Sequence, residues 1–512
     1  MKLSIRKRLE RRKRRIERRL ARKRRREAKR TGFSRPVMNT QPVKYELSER
    51  SRGLVYGGVP LLHQIAKQAG LVQAINRRLR LLKLWLPYSE ADHVLNLAFN
   101  GLCEGTCLED IELRRNDEAF LDALGAETIP DPTTAGDFCR RFSPAAVRRL
   151  MDAIDEARLR VWQRQPREFF DEAVIDADGT LVITTGECKA GMDISYKGTW
   201  GYHPLVVSLA NTGEPLSIVN RSGNRPSQEG AAEELDRAIK LCQQAGFRQI
   251  RMRGDTAFSQ TEKLDRWDAD RVLFQFGYDA KPNLKEIAEN LPESAWKPLC
   301  RPPKYEVQTE PRRRPAKVKR QVIRQRGFLH LELKSEQVAE FAYRPRACRQ
   351  SYRMVVVRKN ISREQGEAVL FDEVRYFFYI TNDRRATPAE IVFGCNDRCD
   401  QENLIAQLAG GVRALTAPVD NLVSNWAYMV MTSLAWTLKA WAALLLPTGG
   451  PWHERRQSER RRVLRMEFKQ FVNAFVKLPC QIVEQGRRTL LRVLSWNEHL
   501  PIFFRLCTVL RC

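Results

Sequence analysis

Two aspartates, Asp176 and Asp178, interrupt the apolar stretch AVIDADGTLVI at residues 173–183. The stretch asks for a sheet interior, and in a strand residues two apart share one face, so both carboxylates should project the same way. An unpaired buried carboxylate is costly and tends to take up a proton unless a cation keeps it ionised. Two further acidic residues stand in comparable settings: Asp255, which closes IRMRGD, and Glu402 in DQENL. Carboxylates gathered from separate elements repel one another unless divalent cations lie between them. Mg2+ or Mn2+, hard and oxygen-loving, is the natural choice, with phosphates of a substrate completing the shell. Two such ions about 3.5–4 Å apart activate the attacking oxygen and stabilise the leaving one in phosphoryl transfer. Whether Asp176 or Asp178 is the ligand is open at this level.

The balance of charge points to the substrate. The 512 residues hold 89 Lys and Arg against 61 Asp and Glu, a net of +28, and a polyanion is the obvious partner. Residues 1–30 alone carry 18 Lys and Arg against 3 Glu. Such a run cannot bury a core; it is expected to be disordered alone and helical when laid against phosphates, which its arginines would pair bidentately. No apolar segment follows it as in a signal peptide. The 12 cysteines are scattered without zinc or redox spacing, so free thiols in a cytoplasmic, nucleoid-associated protein are expected. Residues 422–446 are long enough to cross a membrane, but Asn425, Thr432, Ser433, Thr437 and Lys439 interrupt them and no second span accompanies them. A buried helix and no membrane partner are expected.

The elements that must position the carboxylates follow from the pattern. Residues 1–50 read as a basic disordered arm. Residues 51–170 read as a helical, DNA-binding region, in which IPDPTTAGDFCRRF offers a capped helix bearing Arg140 and Arg141, candidates for DNA contact. Residues 171–279 change to strands: AVIDADGTLVITT, a hairpin in YHPLVVSLANTGEPLSIVNRSGN, a helix in GAAEELDRAIKLCQQAG, then IRMRGD and RVLFQFGY. That succession makes a mixed α/β sheet. Residues 280–390 interrupt it with a β-rich insertion whose arm at 301–326 carries ten basic residues against two acidic ones, among them Arg312, Arg313, Arg314, Lys317, Lys319 and Arg320. Trp296 and Tyr305 nearby offer rings that either stack on an extruded base or belong to a core. Residues 391–415 form one helix carrying Glu402 and ended by glycines, and 416–512 read as helical.

Four stretches in order, DADGT, GYHPLVVSLANTGEPL with RSGNRPSQEGAAEEL, IRMRGDTAF and NDRCDQENLIAQL, resemble the transposases of the insertion sequence 1380 group, over about residues 55–450. These are DDE transposases with an RNase H-like catalytic domain. The resemblance implies that fold, an RNase H-like mixed sheet with a β-rich insertion flanked by helical regions. It implies Asp178, Asp255 and Glu402 as catalytic metal ligands for Mg2+ or Mn2+, two ions in all. Asp176 would be a supporting carboxylate. Glu402 falls in the Y-x2-R-x3-E-x6-K signature, in which Arg398 keeps its i, i+4 spacing to the glutamate. Cys395 stands where Tyr is expected and Ala409 where Lys is expected; the lost Lys would leave positioning of the DNA end to others, such as Arg413.

The implied activity is binding of the terminal inverted repeats of an element, cleavage, and joining of the freed 3′-OH to target DNA. Both steps are in-line attacks at phosphorus that one site can serve. The partners are then double-stranded DNA, as transposon ends and target, and further copies of the chain in a synaptic complex. Two other readings use the same residues: a DNA-binding repressor or remnant without catalysis, and a metal-dependent nuclease that cuts but does not join.

Overall fold

In the computed structural model, residues 3–28, 43–45, 51–85, 87–186, 189–301, 322, 325–327, 329–365, 368–485 and 488–511 are described. The helical region begins with short helices and includes α1 (Pro132–Arg140), capped by Asp131, and α2 (Pro144–Trp162), capped by Ser143. Each cap side chain accepts a bond from a free backbone N–H of the first turn.

Beside two three-stranded sheets, nine of the described strands form one large sheet. In chain order they are β1 (Glu172–Gly179), β2 (Leu205–Leu209), β3 (Glu214–Val219), β4 (Gln249–Gly254), β5 (Leu273–Tyr278), β6 (Lys297–Pro298), β7 (Leu329–Tyr343), β8 (Tyr352–Gln365) and β9 (Ala368–Thr381). Across the sheet the order is β6-β7-β8-β9-β5-β4-β1-β2-β3. β1 pairs parallel to β4, and β4 to β5, while β2, β3 and β9 run antiparallel to their neighbours. This is the mixed α/β sheet expected. The hairpin β2–β3 turns at Gly213, whose φ of +69° suits glycine. α3 (Ala231–Ala245) links β3 to β4 and lays Leu235, Ala238, Ile239 and Cys242 on the sheet. The inserted strands β7, β8 and β9 are long, and they extend the same sheet through the pairing of β9 with β5.

Three further features differ from expectation. The arm read as disordered is an α-helix from Leu3 to Ala28. Ile5, Leu9, Arg12 and Ile16 recur at helical spacing and are half-buried, and Arg12 donates to the Val493 carbonyl at 3.1 Å, so charge density hid a thin docking stripe. The helix expected over 391–415 is broken: α4 (Pro388–Asn396) ends before Arg398, and α5 (Cys399–Ala406) starts there and widens into a π-helical turn at Gln407–Gly411. The region after 416 is not all helix, because Cys480–Gln485 pairs with both Arg488–Val493 and Arg52–Leu54.

α6 (Leu422–Leu444) is the helix whose apolar run suggested a membrane. It is buried from Ser424 to Leu444 and packs against the helix Glu90–Leu102, α2 and β3. A helix apolar all round belongs in the middle of a large core. Among the described residues no helix is long and apolar enough to cross a membrane.

Candidate active site

The two strand aspartates do share a face, and the structure gives them different surroundings. Asp176 is 1 % exposed, and Arg253 of the adjacent strand β4 grips it with Nε on Oδ1 and NH2 on Oδ2, both at 2.7 Å. The pairing register sets Asp176 opposite Arg253, and Arg253 also donates to the Gly394 carbonyl of α4 at 3.0 Å. Burial pushes the Asp176 carboxyl upward and the Arg253 bonds counter it.

Asp178 lies one pleat further, at the carboxyl end of β1. Its Oδ1 accepts from the Gly179 N–H at 2.8 Å and its Oδ2 from Arg398 at 2.9 Å. Burial pushes its pKa up to about 6; Arg398 opposes the shift and the negative charge of Asp255 adds to it. Asp255 follows β4 immediately and caps a short turn by accepting from the Ala257 N–H at 2.9 Å. Parallel pairing of β1 with β4 therefore brings both carboxylates to one end of the sheet.

Glu402 arrives from the helix. Arg398, at the start of α5, bonds Asp178 with one terminal nitrogen and lies 3.5 Å from Glu402 Oε1 with the other. One guanidinium thus links β1 and α5. What fixes α5 against the sheet is the preceding residue, Gln401, 2 % exposed. Its Nε2 donates to the Val206 carbonyl of β2 at 2.9 Å, and the Ser208 hydroxyl donates to its Oε1. With Gln401 turned into the sheet, its neighbour Glu402 stays 59 % exposed.

Sequence reading did not single out Gln401; its position between two acidic residues gave no sign of burial. It also passed over His203. The His203 Nδ1 lies 2.7 Å from the Arg225 carbonyl, which only accepts, so the proton sits on Nδ1 and Nε2 is left as an acceptor. A Cβ at Gly179 would stand 3.0 Å from that Nε2, so a side chain after Asp178 would crowd the imidazole.

The remaining candidates fall elsewhere. Arg140 is ion-paired to Asp137 at 2.8 Å and Asp420 at 3.1 Å, whereas Arg141 is exposed. Arg312, Arg313, Arg314, Lys317, Lys319, Arg320 and Tyr305 lie outside the described residues. Trp296 is core: it is 6 % exposed, with the Arg358 guanidinium 4.3 Å from its ring centre. Cys395 packs with Val355, Ile391 and Val392, and burial pushes its thiol up to about 12, so the replaced tyrosine position lies in the interior. Ala409 sits in the π-helical turn, and Arg413, exposed beyond it, has a φ of +61°.

All three carboxylates offer hard oxygen donors suited to Mg2+ or Mn2+. Among the described residues, however, no three His, Cys, Asp or Glu stand close enough together to hold an ion. Arg398 takes the interval between Asp178 and Glu402, and an ion shared by them requires that guanidinium to swing aside.

The ends of two adjacent parallel strands thus carry Asp178 and Asp255, and Arg398 links Asp178 to Glu402 on the helix. Residues 55–511 match the family described as Transposase DDE domain group 1, and the chain belongs to that family. Among solved structures it is similar to one described as the cryo-EM structure of piggyBac transposase synaptic complex with hairpin DNA, at 10 % identity and a TM-score of 0.35 over 83 % of each chain. No curated protein matches it.

Proposed function

We propose that this DDE transposase belongs to the insertion sequence 1380 group, binds the terminal inverted repeats of its element, cleaves there, and joins the 3′-OH ends to target DNA. The observation that carries the reading is the placement of Asp178 beside Asp255, with Glu402 on the same guanidinium as Asp178. Asp178, Asp255 and Glu402 would hold two Mg2+ or Mn2+ ions, which supply charge neutralisation at phosphorus and an activated oxygen nucleophile.

The chain's own residues do the rest. Arg253 counters the upward push of burial on Asp176 and fixes its carboxyl group, so that β1 presents Asp178 alone. Gln401 holds α5 so that Glu402 faces the strand ends. Arg398 neutralises the carboxylates before DNA binds and, once displaced, is free to meet a phosphate bidentately. Phosphate contacts by Arg141, the amino-terminal helix and the arm at 312–326 would hold the ends, with affinity falling as salt rises. Synapsis of two ends calls for more than one copy of the chain.

The test is cleavage of an end-labelled terminal repeat by wild type and Asp255→Ala, with and without Mn2+. Metal-dependent nicking at the repeat boundary, absent in the variant, is expected. Tight binding without nicking under any metal would favour a repressor or remnant, and nicking without strand transfer a nuclease.

A further inference from the structure

The carboxylates occupy one end of the sheet. At the other end, where β1, β4 and β5 begin and β9 finishes, lies a groove of roughly 1010 Å³. β1 rises about 3.3 Å per residue, so the groove at Glu172 is roughly 20 Å from Asp178. Three exposed arginines, Arg271, Arg384 and Arg385, line it, and among the described residues none of their side chains has a hydrogen-bond or ion-pair partner. The deeper guanidiniums are saturated, Arg251 by Glu172 at 2.8 Å and Asp383 at 2.7 Å and Arg253 by Asp176 at 2.7 Å. The two other acidic lining residues are engaged, Asp268 accepting from Asn382 and Glu390 from the Thr387 N–H. The groove therefore has a neutralised floor and a cationic rim.

Two independent features set these residues apart from ordinary surface charge. Arg271 follows the helix Leu264–Ala269 with a φ of +59°, the left-handed position where glycine is the usual occupant. A long side chain is kept there against a conformational cost. Gln275 also lines the groove: it is 3 % exposed, and its Oε1 has no hydrogen-bond partner. Rotation of that carboxamide by a half turn would offer its N–H groups to an acceptor.

We propose that this groove seats the phosphodiester backbone of a second duplex DNA segment, separate from the strand being cut. Guanidiniums on two separate loops suit a run of successive phosphates, and arginine is the residue that meets phosphate bidentately. The inner wall of the groove reaches Arg253, but its mouth opens at Glu172, the opposite end of β1 from Asp178. Duplex DNA is stiff over about 150 base pairs, so a segment engaged at the carboxylate end does not bend round the sheet into that mouth. The proposal rests on the transposase reading, and it names a surface on which that reading does not depend.

The test uses the full chain carrying R271G, R384Q and R385Q together, with a labelled random-sequence duplex of about 30 base pairs titrated across a range of salt. Each lost phosphate contact should lower the log–log salt slope by about 0.9, so a drop of roughly 2 to 3 and an affinity loss of about tenfold are expected. Nicking of the terminal repeat should persist, and the melting temperature should hold, since R271G relieves the positive φ. A variant with the wild-type slope and affinity overturns the groove and leaves the transposase reading intact. Loss of nicking in step with binding also overturns it, because the groove would then serve the cut strand. A wild type that binds no duplex at any salt brings down both.

Discussion

Two charged clusters lie on this sheet within a few strands of each other, and they are built on opposite rules. Under β3, Glu214 is fully buried and accepts from four donors: Arg158 at 3.2 Å, Trp441 at 2.8 Å, Trp162 at 2.9 Å and Thr212 at 2.8 Å. Arg158, 1 % exposed, is completed by Asp155 and the Pro215 carbonyl. Every polar atom named there has a partner. At the end of β1, by contrast, Asp178 has one guanidinium and one N–H against a second carboxylate nearby, and its pKa stays raised. A saturated cluster fixes helices to strands; an under-partnered one keeps capacity for a ligand.

The contrast can be tested from its strongest side downward. Asp178→Ala, Asp255→Ala and Glu402→Ala should each lower metal-dependent cleavage at least a thousandfold, a ~4 kcal/mol effect on the barrier. Duplex binding by the same proteins should stay within about threefold, because phosphate contacts come mainly from Lys and Arg. A cleavage assay on labelled terminal repeat decides this, and any of the three cutting at the wild-type rate removes that residue from the site.

Glu214→Ala tests the saturated cluster. It leaves two buried indole N–H groups without an acceptor and Arg158 with Asp155 as its one remaining ion-pair partner, and should cost about 3–5 kcal/mol in denaturant unfolding. A loss below ~1 kcal/mol would mean that the cluster is not holding the fold.

The two strand aspartates then sharpen the comparison within one element. Asp176→Asn leaves Arg253 buried without a countercharge and should destabilise by about 3 kcal/mol. Asp178→Asn should do the reverse. Its folded pKa of about 6 lies above the unfolded value near 3.9, so ionisation weighs against folding. That cost is absent below about pH 4, grows as pH rises from 4 to 6, and is complete above. In metal-free protein the variant should therefore gain about 2 kcal/mol at pH 8 and nothing at pH 4, read by thermal melts at both.

The smallest expected effect is at Arg398. Arg398→Ala removes the guanidinium lying between Asp178 and Glu402, and Mn2+ binding followed by electron paramagnetic resonance should tighten by a few-fold. Weaker binding would show that Arg398 arranges the carboxylates and does not compete for them.

Much of this was readable because local pattern carries local structure. The alternation of AVIDADGTLVI put both aspartates on one face, NTGE marked the hairpin, and GAAEELDRAIKLCQQAG gave the helix that covers the sheet. The partition between Asp176 and Asp178 was not readable, because it depends on which strand lies alongside and on Arg253 standing opposite in register. Gln401 was hidden for a similar reason: its role is a hydrogen bond to a strand almost two hundred residues away. The single helix read over 391–415 failed at Asp397–Arg398, where no glycine or proline marks the break. The amino-terminal segment was expected to be helical only against phosphates, and its docking on the chain itself went unread because the stripe of Ile5, Leu9, Arg12 and Ile16 is outweighed by arginine.

The pairing of Arg52–Leu54 with Cys480–Gln485, reinforced by Arg52 on Glu484 432 positions away, bears on how the molecule is made. A contact of such long sequence separation carries a large loop-closure cost and cannot form until residues 480–485 have left the ribosome. The nascent protein must wait with that strand edge unsatisfied, so a ribosome that stops early releases a product unable to close.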